Sequence, residues 1–469
     1  MPINDFSRHP LSWQPDPATL TRPRYLSLAA RLAHDIESGA LPPGTCLPPQ
    51  RELADWLDVN FTTVTRTYNI CRERGLLYGV TGRGTFVAPL PGAQELSEND
   101  VVDLGAVQGF PTLNADLLVE TARDVLNRDY TRQLFSYDDR EGVVRHRSAG
   151  AFWISRLGID VSPEQIIVFP GTQNALVTIM LAFFNIGDTL AVDAFTYGNL
   201  IEAARLARIR LMPVDGDEEG MLPDELEKAA LKERLKGIFL MPSCANPTAV
   251  TMSKRRKNEL ADTIKRLGLL VLEDDATLIP DDSGTFFERL PKQTFHLSGS
   301  TRFLSPGLRV TFAVSPFGHL KGLQAAHHRL TIKASALDAE IMSELILSGR
   351  AQMIISKKVS LAKKMNAVFK RVFPHERTDF KIPPFFRTVR LPLIHLNGPE
   401  VERDLLAEGV RVCHSCRFAV KKRPQHDFLR LSLCSVDSEN RLSHGLRIVS
   451  RWIKNIHLRK CQRSGHLGE

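Results

Sequence analysis

Four short apolar runs recur through the middle of the chain, each separated from the next by a segment long enough to hold a helix. They are Ile166-Ile167-Val168-Phe169, Thr189-Leu190-Ala191-Val192, Gly237-Ile238-Phe239-Leu240 and Leu269-Leu270-Val271-Leu272. A strand apolar on both faces must be covered on both, and parallel pairing needs crossover connections of helix length. The alternation therefore predicts an α/β unit whose largely parallel sheet lies between helices. From about residue 355 the pattern changes to a mixed α+β lobe, with Phe428-Leu429-Arg430-Leu431-Ser432-Leu433 as a strand. No internal repeat is visible, and 469 residues are too many for one small core, so at least two domains are expected.

The N-terminal part follows a different grammar. Residues 1–21 are polar and carry prolines, which reads as a loose tail. Tyr25, Leu28, Ala29, Leu32 and Ile36 recur at helical spacing between Tyr25 and Glu37, with Gly39 as the stop. After a Pro-rich turn, a second helix is expected at about Gln50–Trp56 and a third at about Thr62–Arg74, with Val64, Tyr68 and Cys71 inward. Gly75–Gly79 and Gly82–Val87 read as two short strands around a glycine turn. Three helices followed by a β-ribbon make a winged helix-turn-helix over residues 22–88. A Pro/Gly and acidic linker over 89–104 then leads to the larger domain, 105–469.

Bulk composition excludes little. A net charge of +8 permits an anionic partner without naming one, because the 22–88 segment sets eight arginines against six carboxylates, only +2. No apolar stretch is long enough for a membrane span, and the first residues lack the basic start and apolar run of a secretory signal. Seven scattered cysteines suit reduced thiols and a cytoplasmic setting better than a disulfide framework. Cys413-His414-Ser415-Cys416 has CxxC spacing, but no second ligand pair accompanies it, so packing is expected rather than zinc or redox work, and no metal.

Three ordered motifs give the N-terminal part a family likeness. Leu47-Pro48-Pro49-Gln50-Arg51-Glu52-Leu53-Ala54, Asn60-Phe61-Thr62-Thr63-Val64-Thr65-Arg66 and Gly82-Arg83-Gly84-Thr85-Phe86-Val87 closely resemble the GntR-type winged helix. The start of a recognition helix brings hydroxyls and guanidinium groups to base edges and its N–H groups to phosphate. The resemblance thus implies double-stranded operator DNA as partner, with Thr62, Thr63 and Arg66 at the bases and Arg51, Gly82 and Arg83 at phosphate or the minor groove. Phe61 occupies a place often held by arginine in that family; an apolar contact to a thymine methyl is one way to replace what is lost.

From about Val101 onward the chain resembles the class I aminotransferases of fold-type I, which use pyridoxal 5′-phosphate (PLP). The two halves together resemble MocR-type regulators. Gly171-Thr172-Gln173 opens a helix after a strand, where N–H groups and a hydroxyl can hold phosphate. Tyr197, in Asp193-Ala194-Phe195-Thr196-Tyr197-Gly198, matches the ring that stacks on the pyridine. Asn246, in Ser243-Cys244-Ala245-Asn246-Pro247-Thr248, matches the donor to the 3-oxygen. Asp274, in Glu273-Asp274-Asp275-Ala276-Thr277, matches the partner of the pyridine nitrogen, while Thr277 stands where a tyrosine is usual. Acids at a strand end can alternatively cap the next helix. Arg309 matches the phosphate-binding arginine, Tyr137 the tyrosine that reaches a phosphate across the dimer, and Arg430 the clamp for an amino-acid carboxylate.

Ser300-Thr301-Arg302-Phe303-Leu304-Ser305-Pro306-Gly307-Leu308-Arg309 resembles the family's S-K-x-L-x-P-G-L-R stretch, with Arg302 at the lysine position and Thr301 beside it. A guanidinium stays protonated and cannot form the covalent link to PLP. No catalytic residue is then in register, and Lys292 and Lys333 lie near without matching. Three roles for Arg302 follow: binding PLP or a PLP–amine adduct noncovalently, sensing another anion with no PLP, or a salt bridge to Asp274 in a vestigial pocket. The whole implies a cytoplasmic, homodimeric DNA-binding regulator with a small-molecule effector, an amino acid or amine; the alternative is a PLP aminotransferase with an accessory DNA-binding domain.

Overall fold

The computed structural model describes residues 11–80, 83–88, 101–110, 112–137, 140–275, 282–300, 302–376, 380, 382–392, 396–421, 426–436 and 438–464, the last eight by backbone alone. The chain divides into two compact units, Met1–Asp100 and Val101–Glu469.

In the smaller unit, helix Arg24–Glu37 buries Leu28, Ala29, Leu32, Ala33 and Ile36 on one face, as its spacing predicts. It stops at Gly39, whose φ of 78° belongs to the left-handed region. Gln50–Leu57 and Phe61–Glu73 follow, the latter capped by Asn60, whose side chain accepts from the Thr62 N–H. Strands Leu77–Val80 and Gly84–Val87 pair antiparallel as the wing. The third helix thus begins one residue earlier than its spacing suggests, and the first wing strand is displaced toward Val80. Residues 11–20 are not a loose tail. Trp13 is buried against this core and its indole N–H donates to Asp35 at 2.9 Å, tying the segment down.

The larger unit is organised by one seven-stranded sheet. In spatial order its strands are Ile166–Phe169, Thr311–Val314, Thr294–Gly299, Leu270–Asp275, Leu235–Leu240, Thr189–Asp193 and Arg210–Val214. Thr311–Val314 runs antiparallel to both its neighbours, and the other neighbouring pairs are parallel. All four apolar runs are strands here. The strand read as ending near Leu272 continues through Asp275, because parallel neighbours pair it: Glu273 with His296, Asp274 with Leu297, Asp275 with Ser298. Backbone pairing outweighs the poor β-propensity of three acids.

Helix Arg350–Val372 leads to a lobe with the antiparallel sheet Phe386–Arg390, Phe428–Ser432 and Cys413–His414, flanked by Gly398–Ala407 and Glu439–Ser464. Val102–Asp103 pairs parallel with Val410–Arg411, so residues 101–104 are part of this unit rather than of a linker. Their side chains explain it: Val102 and Leu104 are buried in the large core. Residues 89–100, the remainder of the expected linker, lie outside the described residues.

Candidate cofactor pocket and DNA-contact surface

In the larger unit the chemistry-bearing residues sit at the C-terminal ends of parallel strands, where an open α/β sheet leaves a crevice. Gly171 ends the turn before helix Thr172–Phe183 with φ 93°. A Cβ there would lie 2.4 Å from an Arg309 guanidinium nitrogen, so glycine is what lets Arg309 rest against the helix start. Arg309 itself holds φ 50°. It makes no hydrogen bond or ion pair among the described residues. Thr172 and Thr311 share a hydroxyl contact of 3.1 Å, and Gly299 leaves room for it, since a Cβ there would lie 2.6 Å from Thr172 Oγ1. A free guanidinium beside unpaired helix N–H groups is a seat for a dianion.

The three consecutive acids divide the work by strand alternation. Glu273 is fully buried and accepts from the N–H groups of Phe286 (2.7 Å) and Phe287 (3.1 Å), capping helix Phe286–Arg289, and His296 Nδ1 lies 3.0 Å from it. Asp275 accepts from Ser243 Oγ at 3.0 Å. Asp274 between them is buried and its Oδ1 has no partner. Burial pushes its carboxyl up to about 6, with Arg302 opposing and Asp275 adding to the rise. An orphaned buried carboxylate oxygen suits a protonated pyridine nitrogen. Tyr197 lies in the same field: its pKa is raised by burial and then by Asp274, and lowered by the Asn199 hydrogen bond, Arg302 and Arg309. Its hydroxyl accepts from Asn199 Nδ2 at 3.0 Å, and Asn199 also donates to Gln173 at 3.2 Å.

Asn246 and Arg430 meet directly. Arg430 Nη1 donates to Asn246 Oδ1 at 3.0 Å, its Nη2 donates to the Gly105 carbonyl, and its Nε is buried without a partner. Phe418 and Phe386 face the same guanidinium at 4.9 and 5.9 Å. Burial works against this charge and lowers its pKa.

Arg302 also faces Phe386, at 5.4 Å, and its Nη1 donates to the Cys244 carbonyl at 3.4 Å. No ion pair joins it to Asp274 among the described residues, so the salt-bridge role considered above is not the arrangement found. Gly109 lets the backbone of this loop come close: a Cβ there would lie 2.1 Å from the Arg302 carbonyl oxygen.

The spare lysines are elsewhere. Lys333 donates to the Ser136 carbonyl at 2.7 Å, and Lys292 is exposed. Tyr137 is 82% exposed and meets none of the pocket residues within its own chain. Thr277 and Thr301 lie outside the described residues. Sequence reasoning missed Thr311 and Phe386, which carry no motif of their own and come from strands Thr311–Val314 and Phe386–Arg390; Cys244 lies within the Asn246 motif and enters through its backbone carbonyl, which accepts from Arg302. Cys413 Sγ donates to the Gly105 carbonyl at 3.4 Å, and among the described residues no group of three or more His, Cys, Asp or Glu side chains is placed to hold a metal ion.

On the smaller unit, Arg51, Phe61, Thr62, Arg66 and Arg83 are exposed, and Thr63 is partly so. Thr62 spends its hydroxyl on Asn60 at 2.8 Å. Arg51 lies over the Phe61 ring at 5.9 Å and Arg66 over Tyr25 at 5.0 Å. Phe61, 43% exposed, thus sits beside the Arg51 guanidinium at the helix start. Gly82 lies outside the described residues.

Fold and pocket define a winged-helix unit joined to a fold-type I aminotransferase-like unit. The profile of the gntR family of bacterial regulatory proteins matches residues 24–87, and that of class I and II aminotransferases matches 99–443. The HTH-type transcriptional regulator YdeF of Bacillus subtilis is 30% identical over 97% of this chain and all of its own. The vitamin B6 salvage pathway transcriptional repressor PtsJ of Salmonella typhimurium is 27% identical over 60% of this chain and 65% of its own. Among solved structures, the α-aminoadipate aminotransferase LysN of Thermus thermophilus superposes with a TM-score of 0.69 at 24% identity, covering 77% of this chain and 94% of that one. The chain belongs to the MocR-type transcriptional regulators, in which a gntR winged helix is fused to a class I and II aminotransferase domain. That fold is one built to bind PLP. Among the described residues, no helix is long and apolar enough to cross a membrane.

Proposed function

We propose that the large domain binds PLP, or a PLP adduct of an amino acid or amine, without a covalent link, and that this occupancy sets the affinity of the winged helix for operator DNA. The carrying observation is that Asp274 and Arg309 stand unpaired while the lysine position holds Arg302. In this reading Arg309, Gly171, Thr172 and Gln173 seat the phosphate. Asp274 holds the pyridine nitrogen, Tyr197 covers the ring, and Asn246 donates to the 3-oxygen. Arg430 clamps a ligand carboxylate, with Nε its free donor. Thr277 and Thr301 complete the set as proposals from resemblance. When bound, PLP supplies an electrophilic carbonyl and an electron-withdrawing ring. Arg302 carries only donors, so it can hold an anion or carbonyl oxygen but cannot exchange amino groups.

The domain is proposed to pair with a second copy, which would bring the exposed Tyr137 to the partner's phosphate and present two winged helices to paired half-sites in the cytoplasm. Arg51, Thr62, Thr63, Arg66, Gly82 and Arg83 are proposed DNA contacts, with the Thr62 hydroxyl already donated to the Asn60 cap. Ligand shifts DNA affinity only by its own preference between two conformations. Equilibrium dialysis with PLP tests the reading: wild type is expected to bind reversibly and Arg309→Ala at least about ten-fold more weakly, a loss of about 1.4 kcal/mol. Equal binding by both, or none by wild type, contradicts it.

A further inference from the structure

Beside the cofactor residues lies a second cavity of about 410 Å³, lined by none of Tyr197, Asn246, Asp274 or Arg309. It opens between the ends of strands Thr189–Asp193 and Arg210–Val214, the hairpin that follows, the loop 241–252 and the C-terminal lobe. Its size falls within the roughly 300–1,000 Å³ usual for small-molecule sites.

The wall is amphipathic. Phe195, Val214, Met241, Val250 and Met252 supply apolar surface, and His426 lies 5.3 Å from the Phe195 ring. Four carboxylates also line it, and three are accounted for. Asp215 pairs with Lys421 at 3.5 Å. Asp217 takes a bidentate grip from the buried Arg256 at 2.7 and 2.9 Å, and Glu218 has a partner as well. Arg256 also donates to the Gly220 and Met221 carbonyls, at 2.9 and 3.1 Å, so this side of the cavity is braced before any ligand arrives.

Asp193 is the exception. It is partly buried, and among the described residues no hydrogen bond or ion pair reaches its side chain. Burial alone pushes its carboxyl up to about 7. A carboxylate set in apolar surroundings without a partner costs stability, and an incoming cation is what relieves that cost.

We propose that this cavity is the effector site for a small organic cation, a primary amine on an apolar body, with Asp193 as its counter-ion. The inference rests on reading the large domain as an effector-binding unit, and it places the amine apart from the cofactor. Asp193 is four residues before Tyr197, and Ala245 adjoins Asn246, so a ligand here touches the backs of two cofactor-facing segments.

The test is calorimetric titration of the full chain with phenethylamine and with its neutral isostere 2-phenylethanol, with PLP titrated separately. The amine is expected to bind at least about ten-fold more tightly than the alcohol, that is about 1.4 kcal/mol. Asp193→Asn should erase that preference while PLP binds as in wild type. Val250→Trp, which fills the cavity, should abolish both the amine and the alcohol signals. Equal binding of amine and alcohol, no amine binding, or an undiminished preference in either variant overturns the proposal. Loss of PLP binding in wild type would instead sink the cofactor reading and leave the amine result standing.

Discussion

Removing a carboxylate from the heart of the pocket should make the ligand-free protein more stable. Asp274 is buried, its Oδ1 lacks a partner, and its pKa is raised from 3.8 to about 6. Since the folded value lies above the unfolded one, the favourable contribution is complete below about pH 4. It is lost as pH rises through about 6. At about pH 8 the ionised group therefore costs roughly two pKa units, about 3 kcal/mol. Asp274→Asn removes the charge and keeps the shape. For a unit of this size, 3 kcal/mol corresponds to a rise of about 4 °C in midpoint. The assay is thermal unfolding of the full chain without PLP, following the large domain from about pH 4 to pH 8. The variant should be the more stable at the alkaline end, with its advantage gone at the acid end. Saturating PLP should reverse the order, because only the carboxylate can pair with a protonated pyridine. A variant less stable than wild type at about pH 8 without ligand would refute the argument that Asp274 is an unpaired charge awaiting a cation.

Other outcomes follow from the same geometry. Arg302→Lys restores an amine at the family's position, so borohydride treatment with PLP should add a stable mass to that variant and not to wild type. Gly171→Ala drives a methyl to within 2.4 Å of Arg309 and strains φ 93°, so PLP affinity should fall at least about ten-fold with the winged helix still folded. Unchanged affinity would show that Arg309 does not need this seat. Arg51→Ala with Arg66→Ala should weaken duplex binding and lower the slope of log affinity against log salt by about 2. A slope that does not move would take these two arginines off the DNA.

Most of the sheet was legible because buried parallel strands leave little choice of residue. The ends were less so. Glu273, Asp274 and Asp275 look like a strand terminus by propensity, yet the parallel neighbour Thr294–Gly299 holds all three in the sheet, with Leu240 also pairing Glu273, and their opposite roles follow from side alternation alone. Trp13 could not be read as buried without knowing that Asp35 would be its acceptor. Linker and domain were misdivided at 101–104 because the partner strand Val410–Arg411 lies some three hundred residues downstream. In the pocket, motif-borne residues such as Arg309 and Asn246 were visible in order. Phe386, whose ring both Arg302 and Arg430 approach, was not, since an aromatic in a strand announces packing and nothing more. The cavity beside Asp193 was equally hidden, being assembled from four separate segments.

The central claim is that a cofactor cradle has outlived its covalent anchor. Mass spectrometry of the PLP-treated protein measures this directly, recorded under native conditions and again unfolded after borohydride. One PLP-sized ligand per chain in the native spectrum and none in the unfolded one is the predicted pair. A mass that survives unfolding, or a native spectrum with nothing bound, would contradict it.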